Sequence, residues 1–450
     1  MSADRRTDFN ITRLLFLILV FVSVLILAKL DSKYFELFFT AALVSYLIFI
    51  LSVYTGSLRW YGTVFLFVFF ASFQFVAILV PTFFDIMPHH RFFENDSVAE
   101  HYFIYYMFIF LSGYALLLVA YGFGKKIKVP NYSLKCTSIP MVLCYLPFSI
   151  AIFSFYKIFS AGGGIVNTVL NMGSVNSLLA DIGIYGSLSK VGFTTCCMLM
   201  LVRSYRSCMF VFVVLTILNA AMGERGAILF SGLIPLLVTY RLSHGKIAGK
   251  YIGMGLFFFL LFYLILGAYR GANISESKSQ DLTAETVINV LNKTEHHISA
   301  AATIQLADKG SYYYGKTLMN VLYVPVPRSI WNEKPVVAES VIIGMELKGT
   351  SSTVGSGLPP GVFAYGYIQF GLLGVIFTAL LSGLIAGVAE KYFLTVLTMP
   401  NILLYSQCQA LFIHFLSTEV QVKFLVSFLT ISIVILLSMA WQLFKNGLRN

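Results

Sequence analysis

Runs of fifteen to twenty-five mainly apolar residues constrain this chain more than any other feature, the first reading LLFLILVFVSVLILAKL over residues 14–30. A bilayer core is about 30 Å thick, so a helix that crosses it needs roughly 20 such residues. Runs of this kind occur at 14–30, 34–54, 63–82, 102–121, 140–160, 182–202, 208–222, 226–240, 251–268, 362–386, 401–419 and 424–444. Backbone groups in hydrocarbon must be satisfied within their own segment, and no ten-residue alternating strand pattern is present. The expected fold class is therefore an all-α polytopic membrane protein of about 12 transmembrane helices. Composition agrees: 58% of the residues are hydrophobic and 11% charged, where a soluble chain has about a quarter charged. The segment MSADRRTDFNITR offers no small-residue cleavage site, so the first helix is expected to be retained.

Lys and Arg in short loops mark the cytoplasmic side. Alternate loops carry Arg5, Arg6 and Arg13; Arg59; Lys125, Lys126, Lys128 and Lys135; Arg203 and Arg206; Arg241, Lys246 and Lys250; Lys391; and Lys445 and Arg449. Both termini are expected in the cytoplasm. The net charge of +11 is mostly this topology signal, and no nucleic-acid partner is expected. Three regions follow: helices one to nine over 1–268, a long outer loop over 269–361, and helices ten to twelve over 362–450.

The outer loop holds eight basic and eight acidic residues and many aromatics, a balance that predicts a folded segment. None of the six cysteines lies in it, so no outer disulfide is expected, and no metal-ligand spacing or cofactor motif appears. Within it, residues 282–306 read as an amphipathic helix. Val287, Leu291, Ile298 and Ala302 form one stripe, and Glu285, Asn289, Asn292 and His296 another. One reading lays this helix on the membrane surface with a solvated polar face. The other makes His296 or His297 a base or sugar ligand, since histidine exchanges protons near neutral pH.

Three arginines stand at the expected outer boundary. Arg225 lies in GERG (residues 223–226), where Glu224 either neutralises it or leaves it to face an anion in a cavity. Arg270 closes the ninth run in YRG. Arg328 lies in VPVPRSIWNEKP (residues 324–335), where Pro325 and Pro327 stiffen the approach and Pro335 the exit. Trp331 suits the headgroup level, and Lys334 is a further cation beside it. The stretch GTSSTVGSGLPPGVFAYGYIQFGLLGVI then leads into the tenth run. Its glycines follow no strand and make no nucleotide fingerprint, but let backbone come close to a ligand or a helix.

The outward GERG turn, the loop motif PRSIWNEKP and the entry GSGLPPGVFAYGYIQFGLLGVI together resemble the Wzy-type oligosaccharide repeat unit polymerases of bacterial surface polysaccharide. The likeness spans residues 223–376, about a third of the chain. An arginine followed after ten residues by glycine, described for outer loops of some members, is absent after Arg225, Arg270 and Arg328. The resemblance implies a GT-C-like membrane glycosyltransferase in the bacterial inner membrane. It would join undecaprenyl-pyrophosphate-linked oligosaccharides into O-antigen or capsule-type chains, in a pathway with a flippase and a chain-length regulator. Arg225, Arg270 and Arg328 would then hold the diphosphate, with Lys334 a weaker fourth, because fixed cations stabilise the charge of the leaving group. The acceptor hydroxyl needs a base, and Glu224, His296, His297 and Glu339 are the candidates. Tyr312, Tyr313, Tyr314, Trp331 and Tyr365 offer either anchors at the membrane interface or rings for sugars.

A ligase for finished chains has the same build. A flippase would favour ionisable residues and broken helices at mid-membrane, whereas those within the runs are few, chiefly Glu36, Lys190 and His414, with Lys157 and Asp181 marginal. A structural or sensor membrane protein is the remaining reading.

Overall fold

The computed structural model describes residues 62, 92–128, 138–170, 185–222, 224, 226–244, 296–319, 323, 331, 333–336, 339–350, 358–417 and 422–447. The runs at 14–30, 34–54, 63–82 and 251–268 lie outside the described residues, as do Arg225, Arg270 and Arg328. Among the described residues all regular structure is helical. The labelled helices are α1 (Asp96–Gly124), α2 (Leu146–Ala161), α3 (Phe193–Leu201), α4 (Tyr205–Ala221), α5 (Ala227–His244), α6 (His296–Asp308), α7 (Glu339–Lys348), α8 (Gly361–Thr395), α9 (Met399–Ser417) and α10 (Val422–Gly447). A helical turn, Met141–Cys144, precedes α2, and α5 opens as a wide π helix over Ala227–Leu233. Among the described residues, five segments are long and apolar enough to cross a membrane: Ser97–Gly124, Met141–Ala161, Ala227–His244, Gly361–Thr395 and Val426–Asn446.

Two apolar clusters organise the bundle. In the first, α6 and α7 pack with α1 and α8; in the second, α2 to α5 pack with α9 and α10. Phe393 of α8 touches both. Helix α1 begins at Asn95, whose side chain accepts the Val98 N–H at 2.9 Å and so satisfies one of the amides a helix start leaves over.

The contact of α1 with α8 is made by backbone. A Cβ on Gly383 would stand 2.1 Å from Leu117 O, one on Gly387 2.3 Å from Tyr121 O, and one on Gly124 2.5 Å from Leu384 O. Gly383 and Gly387 form the small-residue spacing that lets membrane helices touch where lipid removes any hydrophobic drive between them.

Helix α8 is not one rod. Phe370 (φ −148°, ψ 26°) and Gly371 (φ 61°, ψ −147°) leave helical geometry, the latter in a region open essentially to glycine alone. A Cβ on Gly374 would stand 1.9 Å from Gly366 O, so two residues that a straight helix holds about 12 Å apart are in contact. The chain folds back at this point. Helix α1 serves as the depth scale: Phe363 lies on Gly113, whereas the Tyr367 hydroxyl meets that of Tyr105, about two turns nearer the α1 start. Residues 361–369 therefore rise along α1 towards its N-terminal end, turn, and descend as 372–395 past Leu117 and Tyr121. The segment that crosses the bundle lies about ten residues later than the run expected at 362–386.

Helix α6 is re-entrant as well. Ser299, in its first turn, donates to Pro359 O at 2.7 Å beside the deep start of α8, while Asp308 at its end accepts from Tyr367 at 2.7 Å. Between them Ser299 to Ile304, Gln305 and Ala307 are buried. Of the polar stripe expected over 282–306, Glu285, Asn289 and Asn292 lie outside the described residues; in the described part the helix is enclosed from Ser299 to Gln305, and only its end at Asp308 is exposed. Small side chains at Ser299, Ala300, Ala301, Ala302 and Thr303 make the insertion possible, and Thr303 satisfies its hydroxyl on Ser299 O.

Polar contacts gather the loops at two ends. Lys125 meets Glu390 at 3.4 Å, Lys391 donates to Ile127 O, Gln442 donates to Ser138 O, and Tyr205 stacks edge-on to His244. Lys309 pairs with Glu94 at 2.9 Å at the opposite end of α1.

Candidate active site

The last turn of a helix leaves carbonyls without partners. At the end of the rising half of α8, Ile368 O and Gln369 O take the N–H groups of Tyr313 and Tyr314 at 3.0 and 3.1 Å, and Gln369 Oε1 takes that of Gly315 at 2.9 Å. Tyr314 (φ 47°) and Gly315 (φ 81°) adopt left-handed backbone to make this docking. The loop after α6 is thereby clamped onto the fold-back.

The clamp starts a chain of side-chain hydrogen bonds. Gln369 Nε2 donates to Thr317 Oγ1, Thr317 and Tyr365 share a bond of 3.0 Å, and Tyr365 donates to Glu339 Oε1 at 2.9 Å. A phenol has one proton, and that of Tyr365 goes to the carboxylate, so Thr317 is the donor in the middle step. All donation runs one way and ends on Glu339. Glu339 is buried, and as the first residue of α7 it sits where the helix macrodipole favours negative charge. A carboxylate held in this manner can accept a proton from a hydroxyl placed against it.

Of the other expected residues, Arg225, Arg270 and Arg328 lie outside the described residues. His296 and His297 occupy the first turn of α6, at its deep end. Tyr313, expected as a sugar platform, is corrected: its ring is buried in the first cluster, facing the Glu346 carboxyl, and burial raises both groups above their ordinary values. Trp331 is partly exposed, edge-on to Tyr323 at 5.3 Å. The Lys334 N–H bonds to Trp331 O at 3.1 Å, closing a tight turn just before Pro335. Thr317 and Gln369 escape a reading by sequence. The only signal is one amide in the apolar run GYIQFG, which a hydropathy average conceals.

Glu224 belongs to the second half of the bundle. Its carboxylate pairs with Lys190 at 3.1 Å, their side chains 28% and 10% exposed, and its N–H bonds to Asn219 O. The sequence placed Lys190 inside a run and set Glu224 against Arg225; Arg225 lies outside the described residues, and Lys190, from the neighbouring helical stretch, is a partner of Glu224 that the sequence did not suggest. Glu224→Gln leaves a buried ammonium without its carboxylate. We expect a loss of about 2 kcal/mol, below the ~3–5 kcal/mol of a fully buried pair because Glu224 keeps contact with solvent. The double variant Lys190→Met/Glu224→Gln should recover most of it in thermal unfolding. If the recovered double variant retains activity, Glu224 is not the base.

An apolar groove of about 330 Å³ at Leu384, Ile385, Val388, Ala389 and Tyr392 lies far along α8 from this site and carries no polar chemistry. Among the described residues no three of His, Cys, Asp or Glu are placed to hold a metal ion. No protein-family model, no curated protein and no solved structure matches this chain.

Proposed function

We propose that this chain is a membrane glycosyltransferase that polymerises lipid-linked oligosaccharide repeat units into surface polysaccharide on the outer face of the bacterial inner membrane. The observation that carries the reading is the buried Glu339 carboxylate at the end of a one-way hydrogen-bond chain, beside a re-entrant helix. It lies within the stretch that resembles the Wzy-type polymerases. In the reaction, a hydroxyl of the incoming unit attacks the anomeric carbon of the growing chain. Its proton passes to Glu339, the new glycosidic bond forms, and the bond to undecaprenyl pyrophosphate breaks with its electron pair on the diphosphate. Arg225, Arg270 and Arg328, with Lys334, neutralise that charge, each arginine contributing a factor on the order of 10²–10³ in rate. No cofactor is required.

The broken helix also suits a lipid-linked sugar flippase, since transporters use discontinuous helices near mid-membrane. Here the break is level with the early turns of α1, which favours chemistry at one face.

The size of surface glycan in a strain lacking the chain tests the reading. Single repeat units still attached are the expected result; no attached units would indicate a ligase, and units stranded inside a flippase. At matched protein level, alanine in place of each arginine should shorten the polymer sharply and lysine less so. Full-length polymer from all three alanine variants would remove the diphosphate assignment.

A further inference from the structure

We propose that the end of α6, where it meets the rising half of α8, carries a carbohydrate subsite centred on Asp308, which binds sugar residues of the oligosaccharide at a distance from its diphosphate. The choice of ligand rests on the glycosyl-transfer reading; the site itself is drawn from the geometry.

Asp308 is the last residue of α6 and is exposed. A helix C-terminus disfavours a carboxylate. Phenols hold it there instead: Tyr367 donates to Oδ1 at 2.7 Å, Tyr312 at 3.4 Å, and the Tyr102 hydroxyl faces the same group. The Tyr367 proton is committed to Asp308, so at 3.3 Å from Tyr105 it is Tyr105 that donates. The rings of Tyr105, Tyr367, Tyr312 and Tyr314 follow one another at centroid spacings of 5.8, 6.3 and 5.8 Å. Tyr314 is 68% exposed, and its left-handed backbone, costly for a bulky residue, is imposed by the clamp onto Gln369. The clamp thus presents one ring face outward beside a carboxylate.

Two alternatives fit less well. Tyrosines of an interfacial belt direct their hydroxyls to water and headgroups, whereas these converge on one acid. A phosphate ligand is disfavoured because the adjacent cation, Lys309, is paired with Glu94 at 2.9 Å while the carboxylate of Asp308 is exposed. An acceptor-only carboxylate beside an exposed aromatic face matches sugar hydroxyls and the apolar face of a pyranose ring.

The test uses the full chain in nanodiscs and, as probe, the free repeat-unit oligosaccharide released by mild acid from the host strain's surface glycan. Binding is read by saturation-transfer NMR. The wild-type chain should bind the probe, and inorganic pyrophosphate should not compete. Tyr314→Ala and Asp308→Asn should each weaken binding about tenfold or more; both positions are exposed, and unchanged thermal unfolding confirms intact protein. No binding to the wild-type chain, or equal binding to both variants, overturns the subsite. The two readings fail separately. A deletion strain with single attached units but no Asp308-dependent binding retains the polymerase and loses the subsite; Asp308-dependent binding with full-length glycan in that strain does the reverse.

Discussion

Gly374→Ala should abolish the folded form of the half of the bundle built from α1, α6, α7 and α8. The added methyl would stand 1.9 Å from Gly366 O and 2.8 Å from its carbonyl carbon. An overpacked core costs typically about 1–3 kcal/mol where side chains can rotate away. Here the obstacle is backbone, held by the docking of Tyr313 and Tyr314 on Ile368 and Gln369. The cost should therefore exceed that range and reach the scale of the whole stability, about 5–15 kcal/mol. Gly371→Ala grades the effect: its nearest neighbour is 3.8 Å away, so only the strain of a φ of +61° remains, about 1–3 kcal/mol. Gly226→Ala meets nothing closer than 3.7 Å and should unfold like the wild-type chain. Thermal unfolding in detergent ranks the three. A Gly374→Ala transition within a few degrees of wild type would refute the fold-back.

Hydropathy finds the apolar runs because lipid and protein interior are equally apolar, and for the same reason it cannot divide them. Residues 361–376 read as the start of a span, yet the first nine rise and the rest descend. Gly366, Gly371 and Gly374 mark that turn in the sequence, but a glycine serves equally for helix contact, as Gly383 and Gly387 show. The polar stripe read over 282–306 lies mostly outside the described residues, and at the described end Ser299 to Thr303 are small enough to be enclosed. Side-chain size, not polarity, decides where α6 lies. Glu339 was legible as one of four bases. What distinguishes it is its partners, Tyr365, Thr317 and Gln369, and two of these are brought to it by the fold-back from distant parts of the chain. Lys190 was legible as an ionisable residue within a run, but its pairing with Glu224 depends on how neighbouring helices pack.

The largest effect on activity should come from Glu339→Gln. Glutamine keeps the shape and still accepts the Tyr365 proton through its carbonyl oxygen, so the hydrogen-bond chain closes and the fold should survive. What is lost is the ability to take a proton. General-base catalysis contributes about 10²–10⁴ in rate, so polymer synthesis from lipid-linked repeat units in proteoliposomes should fall by that factor. Tyr365→Phe makes the opposite change: the base remains, but Glu339 and Thr317 each lose a bond, at about 1–3 kcal/mol for a buried group left unmet. It should lower stability visibly and rate modestly. Glu339→Asp restores a carboxylate on a shorter arm and should recover part of the rate. The pH profile separates roles that stability alone does not: wild-type activity should decline on the acid side as the base becomes protonated, and the residual activity of Glu339→Gln should lack that limb. Full synthesis by a stably folded Glu339→Gln chain would transfer the role to His296 or His297, which share the deep end of the re-entrant helix.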